Sequence, residues 1–148
     1  MLVKPQALLL AVALVLVRVT VGAVFAQTGW GKLHNLDKII EYFTQLGIPA
    51  PQLQAPFVAG LEFFGGCALL IGLGSRLFAL PLAFSMVVAI ATAKKDQIES
   101  FTDVLGFSEW DYIVFFLVIA LLGPGKLSLD HLLARKLFPD TPAPAAGK

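Results

Sequence analysis

Apolar residues gather in four long segments of the chain, at about 7–26, 56–73, 77–93 and 110–123, and polar residues lie between them. A helix that crosses a bilayer needs about 20 mostly apolar residues, with a range of about 17–25. The first three segments qualify, whereas the fourth reaches that length only if it extends back through Glu109 and Asp111. No segment shows the alternation typical of strands in a membrane barrel. The pattern therefore predicts an all-α fold, a bundle of four transmembrane helices.

The connections between these segments predict two shorter helices. Between the first two segments, apolar residues recur at helical spacing from Leu36 to Leu46, which indicates a short helix along the outer interface. After the fourth segment, Ser128 can cap a short amphipathic helix whose Arg135 and Lys136 can meet acidic lipid headgroups. We assign residues 1–137 to a single membrane domain and predict that 138–148 form a disordered tail.

The first segment also has the features of a cleavable secretory signal. Lys4 would supply the charged start, residues 7–17 the apolar region, and Val-Phe-Ala before Gln27 the cleavage site. Arg18 fits this alternative poorly, because it falls between the apolar region and the cleavage site. Three remaining spans would also need another means of orientation. We therefore interpret the first segment as a span and keep the signal as the alternative.

Composition supports a membrane protein and argues against several kinds of partner and cofactor. The chain is 57% hydrophobic and 14% charged, with a mean hydropathy of +0.82, whereas soluble domains are about 45–50% apolar and about 25% charged. The formal net charge of +1 argues against a nucleic-acid partner. Cys67 is the only cysteine, and His34 and His131 lie outside the apolar segments. We therefore expect no metal site, no dithiol pair and no bis-histidine haem in the bilayer.

Basic residues between the spans predict the orientation of the bundle, because they favour the cytoplasmic side. If the N-terminus is inside, six basic residues are cytoplasmic and four are outside. The inner set is Lys4, Arg76, Lys126, Arg135, Lys136 and Lys148, and the outer set is Lys32, Lys38, Lys94 and Lys95. This difference predicts that both termini lie in the cytoplasm.

Arg18 is a charged residue inside the first apolar segment, where an unpaired guanidinium would cost about 2.5–3.5 kcal/mol at the bilayer centre. It shares a helical stripe with glycines, and Glu62 has a similar stripe in the second segment. Counting depth from the outer ends of both segments places the two charges at one level, which predicts an Arg18–Glu62 ion pair. Such a pair either fixes helix register alone or forms the floor of a functional pocket. The candidate pocket residues are Arg18, Glu62, Gln27, Lys32, Glu109 and Asp111, and the candidate helix-packing residues are Gly22, Gly29, Gly65 and Gly66.

The same residues carry a resemblance to a known family. The spacing R-x3-G-x2-F…G-x2-K, followed by LGIPAP, GLEFFGGCALLIGLGSR and GPGKLSLD, resembles the DoxX family of small bacterial membrane proteins from about residue 15 to 135. The resemblance implies four transmembrane helices in the cytoplasmic membrane. It carries over these motif positions: Arg18, Gly22, Lys32, Glu62, Gly66, Arg76 and the stretch 123–130. Ser75 stands where relatives often have threonine, which retains the hydroxyl.

The resemblance also implies a function, because family members are associated with quinone-linked oxidation of sulfur compounds and with oxidative-stress complexes. We therefore expect an accessory or docking subunit of a membrane redox complex. It would have no built-in cofactor, could offer a quinone access to a redox protein partner, and could form a homo-oligomer in the lipid bilayer. The chain shows no nucleophile–base set, so we do not expect a self-contained enzyme. A small transporter or lipid-handling protein using an Arg18/Glu62 pocket is one alternative, although four short helices enclose little volume unless copies associate. A purely structural scaffold is another.

Overall fold

A computed structural model describes residues 4–137, and every regular element in that range is helical. The α-helices are α1 (Lys4–Leu33), α2 (Leu36–Gln45), α3 (Pro51–Ile71), α4 (Ser75–Ala93), α5 (Phe101–Leu105), α6 (Ser108–Leu122) and α7 (Leu129–Leu137), with a 3-10 turn at Lys95–Gln97. The predicted all-α class is confirmed, and helices occur at the predicted interfacial and C-terminal positions. The predicted disordered tail, 138–148, lies outside the described residues.

Helices α1, α3 and α4 are each long and apolar enough to cross a membrane. Helix α6, at the fourth predicted span, has 15 residues, which corresponds to about 22 Å of helix. Its first turn contains Glu109 and Asp111, so these carboxylates lie at the beginning of the helix. The structure therefore has three spans of full length and a shorter fourth helix packed beside them.

Helices α1 and α3 run antiparallel with their backbones in close contact, because glycines line their crossing. A Cβ built on Gly29 would lie 2.2 Å from the Phe63 nitrogen, and one built on Gly66 would lie 2.2 Å from the Ala26 nitrogen. Gly22 packs just as closely against the residues around Gly66. A methyl group fits at none of these points, so side chains smaller than alanine set the α1–α3 distance.

The core lies between α1, α3, α4 and α6. Leu69, Leu82, Phe116 and Ile119 are fully buried there, and the rings of Phe25 and Phe116 meet edge to face at 4.9 Å. Gly65, on the other side of α3 from the α1 contact, approaches the Leu82 side chain of α4. Many leucines and phenylalanines remain on the outer surface. In a bilayer these side chains contact lipid, which explains why so many remain exposed.

The bundle has two ends that carry different residues. The Arg18 end consists of the first half of α1, residues 72–77, and residues 122–137. The Glu62 end consists of residues 30–62 and 88–112. Helix α7 is fixed at the Arg18 end by Asp130, whose backbone N–H donates to the Gly72 carbonyl at 3.0 Å and whose carboxylate accepts from the Gly74 N–H at 2.9 Å. Ser128 caps α7 as predicted, because its hydroxyl accepts the His131 N–H at 3.3 Å.

Candidate functional site

Arg18 is buried, at 5% exposure, and its guanidinium binds backbone carbonyl groups. It donates to the Pro124 oxygen at 2.7 Å and to the Leu127 oxygen at 2.9 Å. Both acceptors belong to the loop between α6 and α7. The predicted Arg18–Glu62 ion pair is therefore wrong: the groups that bind this guanidinium directly are two main-chain carbonyls, and Glu62 is not among them.

The helix register explains why the two residues do not meet. The contacts of Gly22, Gly29 and Gly66 place residue 30 of α1 opposite Glu62. Arg18 is twelve residues from that position, which corresponds to about 18 Å along the helix. The sequence-based depth count assumed that the apolar segments end at the same level. In the structure, α1 continues to Leu33, and α3 begins about two turns beyond the level where α1 ends.

Lys32 is the residue that pairs with Glu62. Its Nζ lies 2.8 Å from Glu62 Oε1, in the only ion pair found between residues 4 and 137. Glu62 is 2% exposed and Lys32 is 26% exposed. The second carboxylate oxygen, Oε2, is buried and has no hydrogen-bond partner in the described structure. Burying a carboxylate oxygen without a hydrogen-bond donor lowers the stability of the fold. Ionisable groups buried within a membrane protein are therefore candidates for a functional site.

A cavity of about 570 Å³ adjoins this pair. Helices α2, α3 and α4 form most of its wall, and Lys94 and Glu109 contribute charged groups. Its aromatic and hydroxyl-bearing lining residues are Tyr42, Phe43, Phe57, Phe84, Ser85 and Thr92. The hydroxyls of Ser85 and Thr92 donate to carbonyls of their own helix. The cavity is thus largely apolar, and the half-buried Lys32 and the buried Glu62 form an ion pair in its wall.

The structure brings together three of the six predicted pocket residues. Lys32, Glu62 and Glu109 line the cavity, whereas Gln27 and Asp111 are exposed and lie elsewhere. Arg18 belongs to the opposite end of the bundle. Of the four predicted packing glycines, Gly22, Gly29 and Gly66 lie at the α1–α3 contact and Gly65 lies at the α3–α4 contact.

Sequence reasoning missed the contribution of α2 to the site. Tyr42 and Phe43 of this helix and Leu46, which follows it directly, line the cavity. The apolar repeat between residues 36 and 46 predicted an amphipathic helix, and we assigned its apolar face to the membrane interface. A polar residue packed under that face would have indicated that α2 covers a site rather than lies on the membrane. The sequence does not show which helix packs under α2, so this indication was not available.

Three long apolar helices with a buried ion pair beside an internal cavity define an integral membrane protein with a polar site among its helices. The family model described as DoxX matches residues 6–95. The chain therefore belongs to the DoxX family, as the sequence motifs predicted.

Several curated relatives cover most of the chain. The inner membrane protein YqjF of Escherichia coli is 30% identical over 125 residues, which are 84% of this chain and 95% of that protein. "Putative oxidoreductase CatD" of Bacillus subtilis is 30% identical over 117 residues, 78% of this chain and 82% of that protein. An uncharacterized membrane protein of Mycobacterium tuberculosis is 32% identical over 135 residues, 84% of this chain and 83% of that protein. No solved structure matches the chain.

Proposed function

We propose that this DoxX-family protein is an accessory subunit of a membrane redox complex and that it holds a quinone ring in the Lys32–Glu62 cavity. The observation that carries the proposal is the unpartnered Glu62 Oε2, buried beside a largely apolar cavity of about 570 Å³. Apolar cavities with a few placed polar groups are the usual sites for small ligands. The name of the Bacillus subtilis relative, which includes the word oxidoreductase, agrees with a redox role.

The ion pair has the hydrogen-bonding chemistry that both forms of a quinone need. A quinone presents two carbonyl oxygens, and the Lys32 ammonium carries three N–H donors, of which one is used by Glu62 Oε1. A quinol presents two O–H donors, and Glu62 Oε2 is a free acceptor in the described structure. Lys32 can therefore donate a hydrogen bond to the oxidised ring, and Glu62 can accept one from the reduced ring. The pair can retain the ligand in either redox state.

The aromatic lining suits the rest of such a ligand. Phe43, Phe57 and Phe84 line the cavity and can pack against a flat ring. Phe57 and Phe84 are also 67% and 68% exposed on the outer surface of the bundle. An isoprenoid tail attached to the ring can therefore reach lipid past these two side chains.

A redox partner completes the reaction in this proposal. Reduction of a quinone to a quinol takes two electrons and two protons, and the electron donor would be a membrane-associated dehydrogenase bound to this subunit. The present chain would bind and orient the ring. The alternative of an anionic solute held between Arg18 and Glu62 has lost its basis, because these residues lie at opposite ends of the bundle.

The test is the quinone content of the protein purified in mild detergent, measured by mass spectrometry of the extracted lipids. Glu62→Gln is the informative variant, because the amide oxygen can still accept from Lys32 while the free carboxylate oxygen is lost. Glu41→Gln is the matched control, since the exposed Glu41 lies at the same end of the bundle but does not line the cavity. We expect bound quinone and a co-purifying dehydrogenase with wild type and Glu41→Gln, and at least tenfold less quinone with Glu62→Gln.

Two results would contradict the proposal. One is wild-type protein isolated repeatedly with neither quinone nor a redox partner. The other is equal quinone content in wild type and Glu62→Gln, which would mean that the quinone is carried by bulk lipid rather than by the site.

We also propose that both termini lie in the cytoplasm. Among the described residues, the Arg18 end has six basic side chains and one acidic side chain, Asp130, whereas the Glu62 end has four basic and eight acidic. Basic residues accumulate on the cytoplasmic side. In a Cys67→Ser background, cysteine at Asn35 should react with a membrane-impermeant maleimide on intact cells, and cysteine at Lys136 should not. The reverse labelling would invert the topology.

A further inference from the structure

A second cavity, of about 1020 Å³, lies at the Arg18 end and has no part in the proposed quinone site. Its wall comes from the first half of α1, the start of α4, the loop after α6 and the start of α7. It is therefore separated from the Lys32–Glu62 cavity by most of the length of the bundle. It combines basic side chains on one part of its wall with leucines on another.

The cations of this cavity are Arg76 and Lys126, and the His131 ring and the Asp130 carboxylate also line it. Asp130 is held by the backbone N–H of Gly74 at 2.9 Å. Arg76 makes one long hydrogen bond, to the Leu121 oxygen at 3.3 Å. Because the only ion pair in the described range is the one between Lys32 and Glu62, neither Arg76 nor Lys126 is neutralised by a carboxylate.

Gly123 leaves room for the Arg76 guanidinium at the cavity wall. Its φ of +81° favours glycine, and a Cβ there would lie 3.0 Å from Arg76 Nε. The arginine therefore lies directly over the loop backbone. This arrangement leaves a planar cation that can bind two oxygens of a phosphate group.

The apolar part of the cavity wall includes Leu10, Leu14, Leu77 and Leu122. Leu10, Leu77 and Leu122 are 39%, 74% and 53% exposed, so this part of the wall continues onto the outer surface that contacts lipid. A free anion would use only the basic groups. An amphiphile with an anionic head and acyl chains would use both parts.

The charge of the whole Arg18 end agrees with such a ligand. The basic side chains at this end of the described chain are Lys4, Arg18, Arg76, Lys126, Arg135 and Lys136, with Asp130 as the single acid. Anionic lipids attract basic groups at the membrane surface. From this geometry we propose that the cavity binds an anionic phospholipid, with its phosphate on Arg76 and Lys126 and its acyl chains on the leucines of α1, α4 and α6.

The experiment compares two double variants that remove the same charge from the same end of the bundle. Arg76→Gln/Lys126→Gln removes the two cations of the cavity, and Arg135→Gln/Lys136→Gln removes two exposed cations of α7 outside it. Binding is measured by native mass spectrometry and by thermal shift in detergent. The added probes are phosphatidylglycerol, phosphatidylcholine with the same acyl chains, and inorganic phosphate.

We expect phosphatidylglycerol to bind and stabilise the wild type, and Arg135→Gln/Lys136→Gln to weaken this binding only slightly, through the loss of general surface attraction. Arg76→Gln/Lys126→Gln should weaken its binding about thirtyfold, from the typical contribution of each basic residue near an anionic lipid. Circular dichroism and unliganded thermal stability near those of the wild type would show that this variant is folded. Equal binding of the two lipids, equal losses in the two double variants, or stabilisation by inorganic phosphate alone would overturn the proposal.

Discussion

The close contact between α1 and α3 predicts opposite outcomes for two glycine-to-alanine substitutions on the same helix. Gly66 lies at the contact, where an added Cβ would be 2.2 Å from the Ala26 nitrogen. Gly60 also lies within α3, but an added Cβ there meets nothing within 4 Å. We predict that Gly66→Ala destabilises the protein and that Gly60→Ala does not.

The magnitude follows from the distances. Ordinary van der Waals contact for a Cβ begins at 3.4 Å, so at Gly66 the two backbones must move apart by more than 1 Å. Overpacking of this kind costs about 1–3 kcal/mol. Both variants gain about 0.5–1 kcal/mol of helix propensity, which cancels when they are compared. Gly66→Ala should therefore be about 1–3 kcal/mol less stable than Gly60→Ala.

The assay is thermal unfolding in one detergent under identical conditions. We expect the apparent Tm of Gly66→Ala to lie about 3–10 °C below that of Gly60→Ala, and that of Gly60→Ala to equal or exceed the wild type. A second pair on α1, Gly29→Ala and Gly31→Ala, repeats the comparison, because Gly31 is also open within 4 Å. Equal stability within either pair would refute the described helix contact.

Three further predictions concern charged residues. Arg18→Leu and Glu62→Leu should each lower thermal stability, and their losses should add within about 0.5 kcal/mol because the residues are far apart; unfolding of the double variant measures this. Lys32→Leu and Glu62→Leu should instead show a coupling free energy of about 0.5–2 kcal/mol when the single and double variants are compared in the same way. Additive losses of stability would show that the two side chains do not form an ion pair. N–H bonds from Ser100 and Glu99 hold the pKa of Asp103 below its ordinary value. Hydrogen-exchange protection of α5 should thus persist above about pH 4 and fall as pH drops through the lower folded pKa, and Asp103→Asn should abolish this pH dependence.

Much of the fold follows from local patterns in the sequence. Long and mostly apolar runs predicted α1, α3 and α4, because a spanning helix must satisfy its backbone internally and face lipid with apolar side chains. Ser128 predicted the start of α7 because a hydroxyl at that position accepts a helical N–H. The length of α6 was harder to predict, since acidic residues such as Glu109 and Asp111 can lie either in the first turn of a helix or in the loop before it.

The candidate site was predicted less well, because it depends on helix register. The sequence showed that Arg18 and Glu62 each lie on a glycine-containing face, but not how far α3 extends past the end of α1. It also could not show that the backbone carbonyls of Pro124 and Leu127 accept hydrogen bonds from the Arg18 guanidinium. Any residue type could supply those carbonyls, so the side-chain sequence carries no sign of them.

The central claim is that a quinone ring occupies the cavity beside Lys32 and Glu62, and photolabelling tests it most directly. The membrane-embedded protein is illuminated with a photoreactive quinone analogue, and labelled peptides are located by mass spectrometry with excess unlabelled quinone as competitor. The account predicts competable labelling within segments 57–62 and 84–93, at the residues of these segments that line the cavity, and little labelling of Glu62→Gln. Labelling confined to residues 123–134, or labelling that excess quinone does not reduce, would contradict it.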